Sequence, residues 1–86
     1  MTTLRIYVRD AETGNRVEMD VKTTNSVEDV IVSAASYWSK DPGAYVLRQG
    51  KRILQGAAVV STLGLINEDV LELMPDPEGG AAAGAR

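Results

Sequence analysis

One segment of this chain, from Ser26 to Trp38, repeats its apolar residues at helical spacing, and the segments around it repeat at strand spacing. Val27, Val30, Ile31, Ala34, Ala35 and Trp38 fall at i, i+3, i+4, i+7, i+8 and i+11, which lays them along one face of a helix. A single helix with one apolar stripe has no second helix to pack on, so a sheet must cover it. Ser26 is the expected N-cap, and Asp29, three residues on, completes a capping-box pair. Glu28 and Asp29 also put negative charge at the positive end of the helix dipole. Pro42 is expected to end the segment, because proline cannot extend a helix and disfavours the helical state at Asp41.

Before the helix, Leu4, Ile6 and Val8 alternate with Arg5, Tyr7 and Arg9. After the turn "DAETGN", Val17, Met19 and Val21 alternate with Glu18, Asp20 and Lys22. Two period-two runs across a short turn containing glycine predict a β-hairpin. After the helix, Tyr45, Val46 and Leu47 are strand formers, "QGKR" is a tight turn, and Ile53–Leu54 suits a very short strand. "VVSTLGLI" holds one helical turn that Gly64 stops. "NEDVLELM" is the last strand, with Val70 and Glu72 on one face and Leu71 and Leu73 on the other.

The expected fold class is therefore α+β, a mixed sheet of four to five strands with one main helix packed on one face. The expected core is Leu4, Ile6, Val8, Val17, Met19, Val21, Val27, Val30, Ala34, Val46, Leu54, Leu63, Leu65, Leu71 and Leu73. Tyr37 and Trp38 are expected to cover the open edge of that core. From Pro75 the composition shifts to "PDPEGGAAAGAR", where proline donates no ladder hydrogen bond and nothing larger than alanine is apolar. The expected organisation is one domain over 1–74 and a flexible tail over 75–86.

Composition narrows the function classes. The chain has 86 residues, no cysteine and no histidine, so disulfides, thiolate metal sites and the commonest general base are missing. No metal site and no catalytic residue is expected. The carboxylate pairs Glu28–Asp29 and Glu68–Asp69 sit where caps and turns favour acids. The net charge is −3, with basic residues spread thinly, which argues against a nucleic-acid partner. No stretch approaches the roughly 20 apolar residues of a membrane span, and "MTTLRIYVRD" does not read as a signal peptide. A cytoplasmic monomer is the expectation.

Four motifs in order resemble ubiquitin and its relatives, the β-grasp family. They are a first hairpin with "TG" in its turn, the helix start "NSVEDVI", the strand–turn–strand "YVLRQGKRILQG", and the closing segment "VVSTLGLINEDVLEL". The spacing from Leu71 and Leu73 to Gly79-Gly80 also matches the family without a gap. The resemblance covers Leu4 to Gly80 and looks most like a prokaryotic-type modifier precursor.

What it implies is chemistry performed by others. A processing protease would cut between Gly80 and Ala81. An E1-like activating enzyme would use ATP to adenylate the Gly80 carboxylate, so no cofactor binds this chain. An E2-like conjugating enzyme would then pass it to lysines of target proteins. Gly79 would leave the terminus slender enough to thread an enzyme channel. By the same resemblance, Leu47 and Met74 sit where the family exposes an apolar recognition patch, with Ala11 or its turn nearby and Arg48 and Glu72 flanking; equally, Leu47 reads as a partly covered strand residue. Lys51 matches a lysine used for chain building, although a solvated turn lysine is the preferred reading.

The sequence departs from the family at "PDPE", where relatives carry a basic, leucine-containing tail. Enzymes that read a basic tail should reject an acidic one. Two alternatives therefore stand beside the modifier. One is a noncovalent ubiquitin-like interaction module of the secretion-associated kind. The other is a sulfur carrier, which usually ends at the diglycine itself.

Overall fold

The computed structural model describes residues 3–77. Its strands are β1 (Thr3–Asp10), β2 (Arg16–Lys22), β3 (Tyr45–Gln49), β4 (Arg52–Ile53) and β5 (Asp69–Pro75), with one α-helix, α1 (Val27–Tyr37). Short 3-10 turns cover Pro42–Ala44 and Val60–Thr62. The sheet order is β2-β1-β5-β3-β4. β1 runs antiparallel to β2 and parallel to β5, and β3 runs antiparallel to both β5 and β4. β5, the last strand among the described residues, thus lies at the centre of the sheet.

The helix begins as its sequence dictates. Ser26 Oγ accepts from Asp29 N–H at 3.1 Å, and an Asp29 carboxylate oxygen accepts from Ser26 N–H at 3.0 Å. The first two helical N–H groups, which no capping side chain reaches, donate to the loop after β4. Val27 N–H finds Ala58 O at 2.8 Å and Glu28 N–H finds Gly56 O at 3.0 Å. All four N–H groups that a helix start leaves open, from Ser26 to Asp29, are therefore satisfied.

The helix stops at Tyr37, ahead of Pro42. Ser39 takes φ 58°, and Lys40 N–H reaches back to Ala35 O at 2.7 Å. A left-handed residue after the last turn, closing a carbonyl with the following N–H, is the usual way a helix ends. Here the stop is made before proline is met.

Val27, Val30, Ile31, Ala34 and Ala35 of α1 are buried against Ile6, Val8, Val21, Leu47, Leu71 and Leu73 of the sheet, with Leu54 and Val60 closing the edge. Trp38 packs against this core, whereas Tyr37 is 65% exposed, with its ring edge-on to Trp38. The expectation that both aromatics cover the core edge is corrected to Trp38 alone, since neighbouring helix positions project about 100° apart.

β4 covers Arg52–Ile53 rather than Ile53–Leu54. Leu54 still continues the pairing through its N–H, 2.9 Å from Leu47 O. Strand pairing at the C-terminal end runs past Met74. Pro75 lies opposite Tyr45, and Asp76 N–H donates to Ala44 O at 2.9 Å. That bond makes 76–44 the hydrogen-bonded pair, so the donor missing from Pro75 points away from β3. On that side β1 has already ended, at Asp10 opposite Leu73, and no ladder bond is lost.

Candidate functional site

The surface in question is the face of the sheet that α1 leaves uncovered. Side chains alternate along a strand, so cross-strand partners share a face. Val46 pairs with Met74, and Arg48 pairs with Glu72. Met74, Arg48 and Glu72 therefore come together on the outer face.

Leu47 does not. It pairs with Leu73 on the helix side and is 0% exposed. The reading of Leu47 as part of an exposed patch is corrected, and so is the reading of Val46 as core. The cause is one of phase. Leu71 and Leu73 point into the core, and the register between β5 and β3 forces Leu47 to follow Leu73. Val46, partly exposed, takes the outward place.

A row of charge crosses this face. Arg16 of β2 lies opposite Arg9 of β1, Arg9 opposite Glu72 of β5, Glu72 opposite Arg48 of β3, and Arg48 opposite Ile53 of β4. Arg9 Nη1 is 2.9 Å from Glu72 Oε2, and Arg48 Nη2 holds Glu72 Oε1. The hydrogen bond from Arg48, helped by the Arg9 charge and opposed by burial, keeps the Glu72 carboxyl below the usual carboxylate range. The Arg16 guanidinium sits 5.1 Å over the Tyr7 ring, a cation–π contact. Arg9 and Arg48 thus share one carboxylate while Arg16 rests on Tyr7, with Glu18, Tyr7 and Val70 on one side of the row and Met74 and Val46 on the other. The row itself is a cationic band, three guanidinium groups to one carboxylate, within a chain of net negative charge.

A second polar cluster, which the sequence reading missed, ties the hairpin turn to the end of α1. Asp10 is 1% exposed. Its carboxylate accepts from Glu12 N–H at 2.9 Å and from Thr13 Oγ1 at 3.2 Å, and lies 3.3 Å from Lys40 Nζ. Lys40 Nζ also meets Glu12 Oε1 at 2.8 Å, and Tyr45 OH donates to the same oxygen at 2.8 Å. Burial pushes the Asp10 carboxyl up, but the hydrogen bonds from Glu12 N–H, Lys40 and Thr13 together outweigh it and hold it below its ordinary value. The bond to Glu12, with those to Asp10 and Tyr45, raises the Lys40 ammonium above its ordinary value despite burial. Asp10 and Glu12 stand about 30 residues from Lys40 and Tyr45, and no local pattern announces their meeting.

Lys51 is exposed in the turn after Gly50, whose φ is 62°. Ala11 is exposed, with its N–H on Leu73 O at 3.0 Å. Gly79, Gly80 and Ala81 lie outside the described residues. Among the described residues no cluster of three or more carboxylates could hold a metal ion. No helix among them is long and apolar enough to cross a membrane.

With this geometry in hand, the comparisons with solved structures decide the fold. A de novo designed protein based on ubiquitin superposes with a TM-score of 0.83 at 19% identity, over 98% of both chains. The fold is the ubiquitin-like β-grasp. The ubiquitin of Caldiarchaeum subterraneum matches at a TM-score of 0.79 and 20% identity, over 86% of this chain and 94% of that one. A chain of the pParkin–pUb–UbcH7 complex matches at 0.80 and 16% identity, over 87% of this chain but only 23% of that one. No family model and no curated protein matches the sequence.

Proposed function

We propose that this ubiquitin-like chain is a protein modifier precursor, processed after Gly80 and then activated at the new carboxylate for transfer to target lysines. The observation that carries the reading is how β5 ends. The strand is paired on both sides, by β1 and β3, and its exit is pinned by Asp76 N–H on Ala44 O. The β-grasp body therefore holds the root of the terminal segment rigidly, and Gly80 follows Pro77 by only three residues. A ubiquitin-like body that fixes the root of a diglycine segment suits enzymes that must grip the body and act on the end. Their partners in the pathway would be a processing protease, an E1-like enzyme that consumes ATP, an E2-like enzyme and the targets.

The test follows the mass of the chain and then the mark it leaves. The full 86-residue protein is incubated with extract of its source cells, and an 80-residue product is sought by intact mass. Conjugates are digested with a protease that cuts after glutamate, because Glu78 immediately precedes Gly79-Gly80. That digestion leaves a two-glycine remnant on modified lysines, whereas trypsin, cutting last at Arg52, would leave residues 53–80 attached. A chain that stays at 86 residues and marks no lysine removes the proposal.

The cationic band favours a second reading, a noncovalent interaction module that works through the sheet face. Deleting residues 78–86 separates the two, since it spares Pro75 and Asp76, which belong to the strand pairing. Function that survives the deletion selects the module; function lost with it selects the modifier.

A further inference from the structure

The outer face of the sheet carries its charge unevenly. On the half beyond Tyr7 and Val70, Arg5 Nε lies 3.2 Å from Glu18 and 3.3 Å from Asp20. Lys22 ends β2 opposite Thr3, so two cations there meet two carboxylates, and Glu68 borders them across a shared hollow. The positive excess therefore falls on the row Arg16–Arg9–Glu72–Arg48. Arg16 is its least compensated member. It is exposed, and among the described residues it rests on the Tyr7 ring without an ion pair. A guanidinium carries several N–H donors, and Arg9 and Arg48 reach Glu72 through one nitrogen each. The row therefore has donors left for further acceptors.

One margin of the row is apolar. Met74 and Val46 pair beside it, and Ile53, 45% exposed, ends it at β4. Asp76 stands two residues past Met74, beyond that margin. The row occupies the place where the resemblance implies an apolar patch: Leu47 is buried, and the centre is an ion-paired cluster instead. A purely apolar partner laid over it would strip water from Arg9, Glu72 and Arg48 with no new bond in return, and desolvated charges are costly unless they are paired. A partner that brings carboxylates supplies those bonds.

We propose that this row is a docking surface for an acidic segment of a partner protein, with carboxylates on Arg16, Arg9 and Arg48 and one aliphatic side chain on Met74 and Val46. Neighbouring strands lie about 4.8 Å apart, so Arg9 and Arg48 are about 10 Å apart at the backbone and Arg16 is about 5 Å further. Two separate carboxylates fit that spacing, one over the Arg16–Arg9 pair and one over Arg48. A continuous polyanion such as a single-stranded nucleic acid fits less well, because Glu72 interrupts the row and Glu18 flanks it. A segment turned about, with its carboxylates toward Glu18 and Asp20, meets repulsion. The proposal rests on the interaction-module reading above and does not require cleavage of the tail.

The test titrates the full-length chain, labelled with ¹⁵N, with three capped pentapeptides: acetyl-Glu-Glu-Leu-Glu-Glu-amide, acetyl-Gln-Gln-Leu-Gln-Gln-amide and acetyl-Glu-Glu-Gly-Glu-Glu-amide. The first should give saturable shifts at the amides of Arg9, Arg16, Arg48 and Met74. Its affinity should fall at least about fivefold between about 20 and about 200 mM salt. The other two, lacking the carboxylates or the aliphatic side chain, should bind at least about threefold more weakly. Arg16→Gln should weaken the first peptide about threefold, and Arg9→Gln with Arg16→Gln at least about tenfold. Both variants leave Arg48 on Glu72, and each one's folding is read from its own spectrum. Lys22→Gln removes the same charge about 20 Å along β2 from Arg16 and should change nothing.

Equal binding of the glutamine peptide, an unchanged response in the double variant, or shifts that map elsewhere overturn the acidic partner. Tighter binding of octathymidylate at the same amides overturns it in favour of a nucleic acid. Movement of the Arg9 and Arg16 amides on deleting residues 78–86 without peptide overturns it in favour of the chain's own tail. The module reading is decided separately, by the function of that deletion. Peptide binding with function lost on deletion leaves the row as a docking surface of a modifier. Function retained, with the glutamine peptide bound as well as the first, keeps the module and removes its acidic partner.

Discussion

Replacing Leu47 by alanine should destabilise this protein far more than replacing its neighbour Val46. Leu47 is 0% exposed and joins the cluster that includes Leu71, Leu73, Ile31 and Ile6. Truncating such a leucine removes buried carbon and leaves a cavity that the surroundings only partly close, at a cost of roughly 2–5 kcal/mol. Val46 faces outward beside Met74 and is partly exposed, so loss of two carbons there costs about 1 kcal/mol. A domain of 86 residues has a total stability on the order of 4–13 kcal/mol. Leu47→Ala therefore consumes a large share of it. At about 4–8 °C per kcal/mol for a domain of this size, a loss near 3 kcal/mol lowers Tm by about 12–24 °C, against about 4–8 °C for Val46→Ala. The assay is urea unfolding of both variants followed by circular dichroism, with m held common to the three proteins. If Val46→Ala costs as much as Leu47→Ala, β3 has the opposite phase. The cationic band would then lose Arg48 from its row, and the case for that face would go with it.

Two further predictions use the same measurements. Ser26→Ala removes the side chain that caps Asp29 N–H and should cost about 1 kcal/mol, while Ser26→Asp, which keeps an acceptor, should recover most of it; equal stability in all three would mean that the loop carbonyls of Ala58 and Gly56 alone hold the helix start. The second concerns acid. Asp10 titrates below its ordinary value when folded, so its contribution is complete above the unfolded value of about 3.9 and is lost as pH falls through the lower folded one. Wild-type Tm should fall more steeply than that of Asp10→Asn from pH 5 downward, in melts at fixed ionic strength, and parallel slopes would show that the Asp10–Lys40 pairing contributes nothing.

The parts of this fold that were legible in sequence are those written in a single segment's period. The alternation of Leu4 to Arg9 and of Val17 to Lys22 places a hairpin, and the stripe from Val27 to Trp38 places the helix and its cap. β3 was different. Tyr45, Val46 and Leu47 form an unbroken apolar run, and such a run has no alternation from which to read a face. Its phase is set by pairing with β5, a strand more than twenty residues downstream, and no feature within the run carries that information. The device that stops the helix was hidden for a related reason. Pro42 is a visible stop, but Ser39 adopts the left-handed conformation that glycine more often supplies, and serine does not advertise it.

The same distinction explains why the surface chemistry stayed hidden while the tail did not. "PDPEGG" is contiguous, and its meaning depends only on where the last strand stops. The cationic band needs the register of four strands before Arg16, Arg9, Glu72 and Arg48 fall into one row. One local hint existed: Arg9 and Arg16 flank the first turn symmetrically, so any hairpin there must set them side by side. Two like charges directly opposite are unfavourable, and a folded sheet relieves them by bringing in a carboxylate, a ring or both. Glu72 and Tyr7 do this from β5 and β1. A pair of opposed arginines in a predicted hairpin is therefore a reason to look for an acidic residue on the strand expected beside it. Applied here, the alternation of β5 leaves Glu72 as the carboxylate on the outward face, and that inference reaches the centre of the band without coordinates.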